Sequence, residues 1–167
     1  NNNSYGYGFN WKSFEDSKFL ASLLKEKVLV RFNKKKLINN KNAWDLGSIF
    51  ILKGDNNHIK ESLVSTVDSL AKKFNRSLIE INSGYSDSGV DLGSQDVKMI
   101  KKLNVGILGG SGVSPYNYGE IWYFFEKQLK YPVTQIPEDK LSEALKSINT
   151  LILPSGSYSL FKSKEKI

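Results

Sequence analysis

The sequence contains no cysteine, and this absence removes several kinds of chemistry at once. A chain without thiols has no disulfide framework, no cysteine nucleophile and no thiolate metal site. Histidine is nearly absent as well, with His58 as its one example. Since a catalytic zinc usually takes several His or carboxylate ligands, we expect no catalytic residue, metal site or cofactor in this chain. For His58 we expect a solvated or capping role.

Arginine is scarce although the chain is basic. The net charge is +7, yet of the 24 basic residues only Arg31 and Arg76 are Arg. The planar guanidinium group of Arg can form two hydrogen bonds at once, so Arg is the side chain that most often binds bases and phosphates. The lysines are spread along the chain, and their densest run, 34–36, followed by the polar segment 39–42, resembles a hairpin tip. The composition therefore indicates no nucleic-acid partner.

Long apolar runs are missing too, so we expect no membrane span. The 40% of hydrophobic residues is nevertheless typical of a globular chain rather than a disordered one. The sequence opens on three asparagines, without Met or an apolar leader segment. We expect it to be part of a longer protein, and this end does not indicate a compartment.

The first part of the chain, 1–94, alternates strand and helix patterns. Its order, β-α-β-(β)-β-α-β, predicts a small α/β unit with a mixed sheet. The segment 83–94 is rich in Gly, Ser and Asp and predicts a connector or surface loop. The predicted strands are 4–9, 28–32, 48–52 and 78–81, and the helices follow Ser13 and span 59–74.

The second part, 95–167, predicts a βαβαβ order, with the boundary between the units near 95–103. Such alternation predicts a parallel sheet with right-handed crossovers. Its first helix can begin at Ser114-Pro115 or at Asn117 with Glu120, and bury Ile121, Phe124, Phe125 and Leu129. Three strands leave an exposed edge, so we expect a covering partner or, preferably, a continuing sheet. The predicted strands are 104–108, 132–136 and 150–154, with a short helix at 141–148.

A glycine-rich turn follows the first strand of this second unit. Open α/β sheets bind ligands at this position, and free N–H groups at a helix start favour an anion. The turn matches neither a dinucleotide fingerprint, because Pro115 stands at its last position, nor a phosphate-binding P-loop. Two interpretations stay open: the glycines turn at positive φ, or they form a small-ligand or anion pocket. The candidate ligand-binding residues are Gly109, Gly110, Ser111, Gly112, Ser114, Glu120, Ser155 and Gly156.

Glu120 is the one carboxylate whose position indicates chemistry. A general base needs a nucleophile or metal within about 3 Å, and the sequence offers no obvious one. We therefore expect Glu120 to cap the helix. The aromatic residues near the helix start are expected to pack around it rather than form a binding cage; they are Tyr116, Tyr118, Trp122 and Tyr123.

Several segments together resemble a known family. The chain resembles the region C-terminal to the peptidase domain of large bacterial zinc carboxypeptidase-like proteins, a tail similar to a class I glutamine amidotransferase domain. The resemblance covers nearly the whole chain. It is looser before Gly84, where the segment 47–51 is the part that resembles the family. Its most specific segments are 91–94, 105–114, 118–125 and 131–134.

The resemblance implies an accessory role without catalysis. It implies a partial doubly wound, flavodoxin-like or amidotransferase-like second unit, and a periplasmic or secreted parent protein. Zinc is implied only for an upstream peptidase domain, and the implied partners are that domain or a second copy of the chain. The strand at 151–156 resembles the one before the amidotransferase cysteine, which this chain lacks. The alternative function is a small-ligand or anion-binding module built on Gly109–Gly112.

Overall fold

The computed structural model describes residues 4–158 and residue 161. It shows a mixed α/β protein in which an antiparallel sheet is followed along the chain by a parallel one. The chain divides into two units, Asn1–Lys101 and Lys102–Ile167. This division falls within the predicted boundary region 95–103. The strand Val97–Met99 nevertheless belongs to the first unit, because it pairs with Arg31–Asn33.

The main sheet of the first unit has five strands, which lie in the order β6 (Ile79–Ile81), β1 (Gly6–Phe9), β5 (Ile49–Leu52), β2 (Arg31–Asn33) and β8 (Val97–Met99). The prediction of a mixed sheet is wrong, because every pair in this sheet is antiparallel. β5 lies between β1 and β2 and runs opposite to both, so the two strands that α1 connects never become neighbours. The elements are β1 (Gly6–Phe9), α1 (Phe14–Lys25), β2 (Arg31–Asn33), β3 (Leu37–Asn39), β4 (Asn42–Trp44), β5 (Ile49–Leu52), a 3₁₀ helix (Gly54–Ile59), α2 (Leu63–Lys73), β6 (Ile79–Ile81), β7 (Ser88–Gly89) and β8 (Val97–Met99).

Apolar side chains of this sheet and of the hairpin formed by β3 and β4 make up the core of the first unit. All four residues of β5 are buried, which agrees with their uninterrupted apolar sequence. The ring of Trp44 meets that of Phe50 edge-on, with centroids 5.0 Å apart. Leu92, inside the predicted loop 83–94, is fully buried beside them. That loop is therefore anchored to the core and contains β7, which pairs with β3.

The lysine- and asparagine-rich segment forms the hairpin of β3 and β4. Its turn residues Asn40 and Lys41 have φ angles of 50° and 62°, as a two-residue hairpin turn requires. The tip lies there, whereas the lysine run 34–36 precedes β3. His58 is exposed, and its Nε2 lies 2.9 Å from the carbonyl of Lys27, just beyond the end of α1.

The second unit contains the parallel sheet that its sequence predicts. Three strands lie in the order β10 (Val133–Pro137), β9 (Val105–Gly109) and β11 (Thr150–Ile152), and both pairs are parallel. Leu108, Ile136 and Leu141 form its core. The elements are β9 (Val105–Gly109), α3 (Pro115–Tyr123), a π-helical turn (Phe124–Leu129), β10 (Val133–Pro137), a 3₁₀ turn (Glu138–Lys140), α4 (Leu141–Ala144) and β11 (Thr150–Ile152).

The predicted buried face of the first helix in this unit is covered less than expected, and Phe124 does not belong to it. No residue of α3 or of the π-helical turn is fully buried, and Phe124 is 37% exposed. Ile121, Phe125 and Leu129 are half-buried, so this side of the helix is only partly covered. Within residues 4–158 and at 161, no helix is long and apolar enough to cross a membrane.

Candidate functional site

The central strand of the second unit leads directly into the glycine-rich turn. β9 ends at Gly109, and α3 begins at Pro115 after its N-cap Ser114. The Oγ of Ser114 accepts the N–H of Asn117 at 3.5 Å. Proline suits the first helical position because its ring fixes a helical φ, and the N–H that it lacks has no partner there anyway. The turn therefore lies between the carboxyl end of a parallel strand and a helix start.

The glycines of this turn permit close approach by neighbouring groups. In the described part of the chain, positive φ angles among glycines are confined to Gly47 and Gly89. The interpretation that the turn needs glycine for positive φ is therefore wrong. A β-carbon on Gly110 would lie 2.5 Å from the carboxyl carbon of Glu138, and one on Gly112 would overlap a backbone oxygen of the segment after β11. Larger residues would push these neighbours away.

The segment after β11 fixes the turn from the other side. Ser114 donates its N–H to the carbonyl of Ser155 at 2.9 Å, and Gly112 accepts the N–H of Ser157 at 2.8 Å. These bonds form a short antiparallel bridge centred on Gly156. The structure thus brings together most of the residues predicted from sequence, namely Gly109, Gly110, Ser111, Gly112, Ser114, Ser155 and Gly156.

Glu120 stands apart from this cluster. It is exposed on α3 and is not among the side chains that line the pocket described next. Its predicted capping role is wrong, because α3 begins at Pro115 with Ser114 as its cap, which puts Glu120 beyond the first turn. The aromatic residues nearby are also more exposed than predicted, with Tyr116 at 85% and Tyr123 at 53%.

A pocket of about 590 Å³ opens at the carboxyl ends of β9 and β10. This volume lies within the range of small-molecule sites, about 300–1,000 Å³. Sequence reasoning missed its acidic wall, Glu138 and Asp139, although both directly follow a strand of the predicted sheet. An adjoining cleft of about 380 Å³ shares the turn. The pocket is lined by Gly109, Gly110, Ser111, Tyr118, Gln135, Ile136, Pro137, Glu138 and Asp139.

Two tyrosines border this pocket or its acidic wall. Burial raises the pKa of Tyr118, whose ring packs 3.1 Å from the β-carbon position of Gly109. Burial and the nearby carboxylate of Glu138 raise the pKa of Tyr158, whose hydroxyl donates to the carbonyl of Pro154. Both phenols therefore stay protonated at neutral pH, and the phenol of Tyr118 can donate a hydrogen bond beside the pocket.

Comparison with protein-family models, with curated proteins and with known structures finds no match to this chain.

His58 is the one histidine of the chain. His58 and Glu61 are three residues apart, a spacing at which one helix can present two ligands to a zinc ion. Both are exposed, and His58 contacts a backbone carbonyl. Across the described ranges 4–158 and 161, no group of three or more His, Cys, Asp or Glu side chains is placed to hold a metal ion.

Proposed function

We propose that this chain is a non-catalytic accessory region whose second unit binds a small ligand in the pocket between Gly110, Tyr118 and Glu138. The observation that carries the proposal is the position of this pocket at the carboxyl ends of two parallel strands, beside a turn leading into a helix. Open α/β sheets bind their ligands in this place. The absence of cysteine removes one nucleophile that such a turn could present.

The acidic wall specifies the chemistry of the ligand. The carboxylate of Glu138 lies over Gly110, where a bound anion would otherwise meet the turn. A second negative charge close to this carboxylate would be repelled, whereas an amine or another hydrogen-bond donor would be attracted. The structure therefore favours a ligand with a donor or cationic group over the anion expected from the glycine turn alone.

The strand order supports a finer fold assignment. The first crossover runs from β9 to β10, and the second returns from β10 past β9 to β11, so β9 lies between the other two strands. The same order occurs in doubly wound sheets of the flavodoxin and class I amidotransferase type. In such sheets the carboxyl end of this central strand is the switch point where ligands bind. We assign the second unit to this type as part of the same proposal.

The identity of the parent protein rests on sequence resemblance. The segments 91–94, 105–114, 118–125 and 131–134 resemble the tail of zinc carboxypeptidase-like proteins, which would make the pocket a means of positioning substrate or partner. This assignment is tested on the complete natural protein by measuring its zinc content and its chelator-sensitive carboxypeptidase activity. A complete protein with neither property would contradict it.

The ligand proposal is tested by thermal unfolding of the whole chain with ethanolamine, lysine methyl ester and inorganic phosphate as probes. We expect a saturable rise in Tm with an amine probe, lost in Gly110→Val, which fills the pocket, and weakened in Glu138→Gln, which keeps its shape. Gly119→Ala is the control, because a β-carbon there meets open space. Stabilisation by phosphate alone would contradict the ligand class, and no response to any probe would contradict the binding function.

A further inference from the structure

A second cleft, of about 540 Å³, lies in the first unit, on residues that the glycine turn does not include. It opens between the beginning of β1 and the loop 83–94. We call it the tyrosine cleft, after the two residues that dominate it, Tyr5 and Tyr85. The cleft is lined by Tyr5, Gly84, Tyr85, Asp91, Gly93 and Ser94.

The loop that forms one wall is fixed in place. Asn39 is 1% exposed, and its side-chain amide donates to the carbonyls of Ser83 at 3.0 Å and Tyr85 at 2.8 Å. The N–H of Leu92 donates to the carbonyl of Gly84 at 2.9 Å, and the Leu92 side chain is fully buried. A wall held by buried groups on both sides needs little further ordering when a ligand binds.

The opposite wall is equally constrained. Tyr5 donates its N–H to Ile81 at 2.7 Å and accepts the N–H of Lys53 at 3.1 Å, so its backbone is held to β6 and to the end of β5. Its ring rests on Gly84, where a β-carbon would lie 2.9 Å from the phenol oxygen. A larger residue at this position would push the ring of Tyr5 away from the loop.

Both aromatic rings nevertheless remain accessible. Tyr5 is 41% exposed and Tyr85 is 80% exposed. Exposed tyrosines on a fixed backbone are typical of recognition surfaces, because they offer a large rigid contact area and a hydroxyl at small entropic cost. Holding such a ring in water has no evident benefit to folding, since it contributes little apolar burial.

The polar groups around these rings define the class of ligand. None of the six lining residues is cationic, and one, Asp91, carries a carboxylate. One oxygen of Asp91 accepts the N–H of Ser86 at 2.7 Å, and an ionised carboxylate has a second oxygen that can accept from a ligand. The phenol hydroxyls can both donate and accept. An anionic ligand is therefore disfavoured, whereas a molecule with apolar faces and many hydroxyl groups suits every part of this lining.

We propose that the tyrosine cleft binds a neutral saccharide, with the ring of Tyr85 stacked on the C–H face of a sugar and Asp91 accepting from its hydroxyls. This combination of an apolar platform and a few fixed polar groups is the general pattern of small-molecule sites. The proposal does not depend on the pocket of the second unit.

The test is isothermal titration calorimetry of the whole chain with cellohexaose, maltohexaose and chitohexaose. We expect saturable binding of at least one of them, weakened about tenfold or more by Tyr85→Ala, which corresponds to the loss of one stacking anchor. Tyr116→Ala is a matched control, because Tyr116 is 85% exposed in the second unit. It should leave the affinity unchanged.

Two further measurements separate binding from folding and from cation recognition. Tyr85→Ala should leave the unfolding midpoint unchanged, and Tyr85→Phe should retain most of the affinity because the ring remains. Absence of saccharide binding, or equal affinity in wild type and Tyr85→Ala, would overturn the proposal. Tyr85-dependent binding of tetramethylammonium in place of the saccharides would also overturn it, since the rings would then serve a cation.

Discussion

Replacement of Asp16 by alanine tests the account of how the first helix is held. Asp16 is 3% exposed and accepts the N–H groups of Lys12 at 2.9 Å and Ser13 at 2.7 Å, as well as the hydroxyl of Ser13 at 3.0 Å. It also forms an ion pair with Arg76, whose Nη1 lies 3.2 Å from its second oxygen. One carboxylate therefore caps α1 and connects it to the chain after α2.

The expected loss is about 2–3 kcal/mol of unfolding free energy. Loss of a helix cap costs about 0.5–2 kcal/mol, and a partly buried donor left without an acceptor costs about 1–3 kcal/mol. The values are not additive, because Ser13 takes part in both effects. For a unit of this size the corresponding fall in Tm is on the order of 10 °C.

The assay is urea unfolding, followed by near-ultraviolet circular dichroism of the core of the first unit. Asp45→Ala is the control: Asp45 also pairs with a lysine, Lys36, at 3.0 Å, but both side chains are more than 70% exposed. An exposed pair contributes about 0–1 kcal/mol. If Asp16→Ala and Asp45→Ala destabilised the protein equally, the reasoning from burial and capping would be refuted.

The same substitution predicts a pH dependence. Burial alone would raise the pKa of Asp16, but hydrogen bonds from Lys12, Arg76 and Ser13 outweigh it and hold the pKa below the ordinary value of 3.8. A lowered folded-state pKa means that the stabilisation is complete above pH 3.8 and is lost as the pH falls through the folded-state value. The difference between wild type and Asp16→Ala should therefore shrink below pH 3.8.

Two other stability predictions follow from local geometry. Gly119→Ala should stabilise the chain by about 0.5–1 kcal/mol in urea unfolding, because its β-carbon meets open space in a helix. Gly106→Ala should destabilise the chain by about 1–3 kcal/mol, because its β-carbon would overlap Ile136. Equal effects of the two substitutions would contradict this reasoning. Arg31→Lys should lower the free energy of unfolding by about 1 kcal/mol or more. Arg31 donates to both oxygens of Asp55, at 2.7 and 2.8 Å, and lysine cannot form this pair of hydrogen bonds. An unchanged midpoint in thermal unfolding would contradict this prediction.

The parallel sheet could be predicted because its strands carry their own signals. The apolar segments around Ile107, Ile136 and Ile152 alternate with helical ones, and this order leaves few arrangements other than parallel neighbours. The position of the glycine turn follows from the same order. The acidic wall at Glu138 was not predicted, because Glu138 lines the pocket only through its proximity to Gly110 in space, and no local sequence pattern encodes this proximity.

The first unit was predicted less well because its sheet order depends on long-range pairing. Local patterns identify β1 and β5 as strands, yet only the folded chain reveals that β5 lies between β1 and β2. The loop 83–94 has no apolar period, so the burial of Leu92 and the hydrogen bonds from Asn39 could not be predicted from it. The tyrosine cleft depends on those contacts and for this reason could not be predicted from the sequence.

The edge strand β8 has a consequence for the order in which a growing chain can fold. β2 pairs on one side with β5, but its other partner, β8, follows it by more than 60 residues and ends at Met99. While synthesis proceeds at about 5–20 residues per second, this edge of the nascent sheet stays unpaired for several seconds. The five-stranded sheet of the first unit is complete only after β8 has left the ribosome. By that time, synthesis of the second unit has begun.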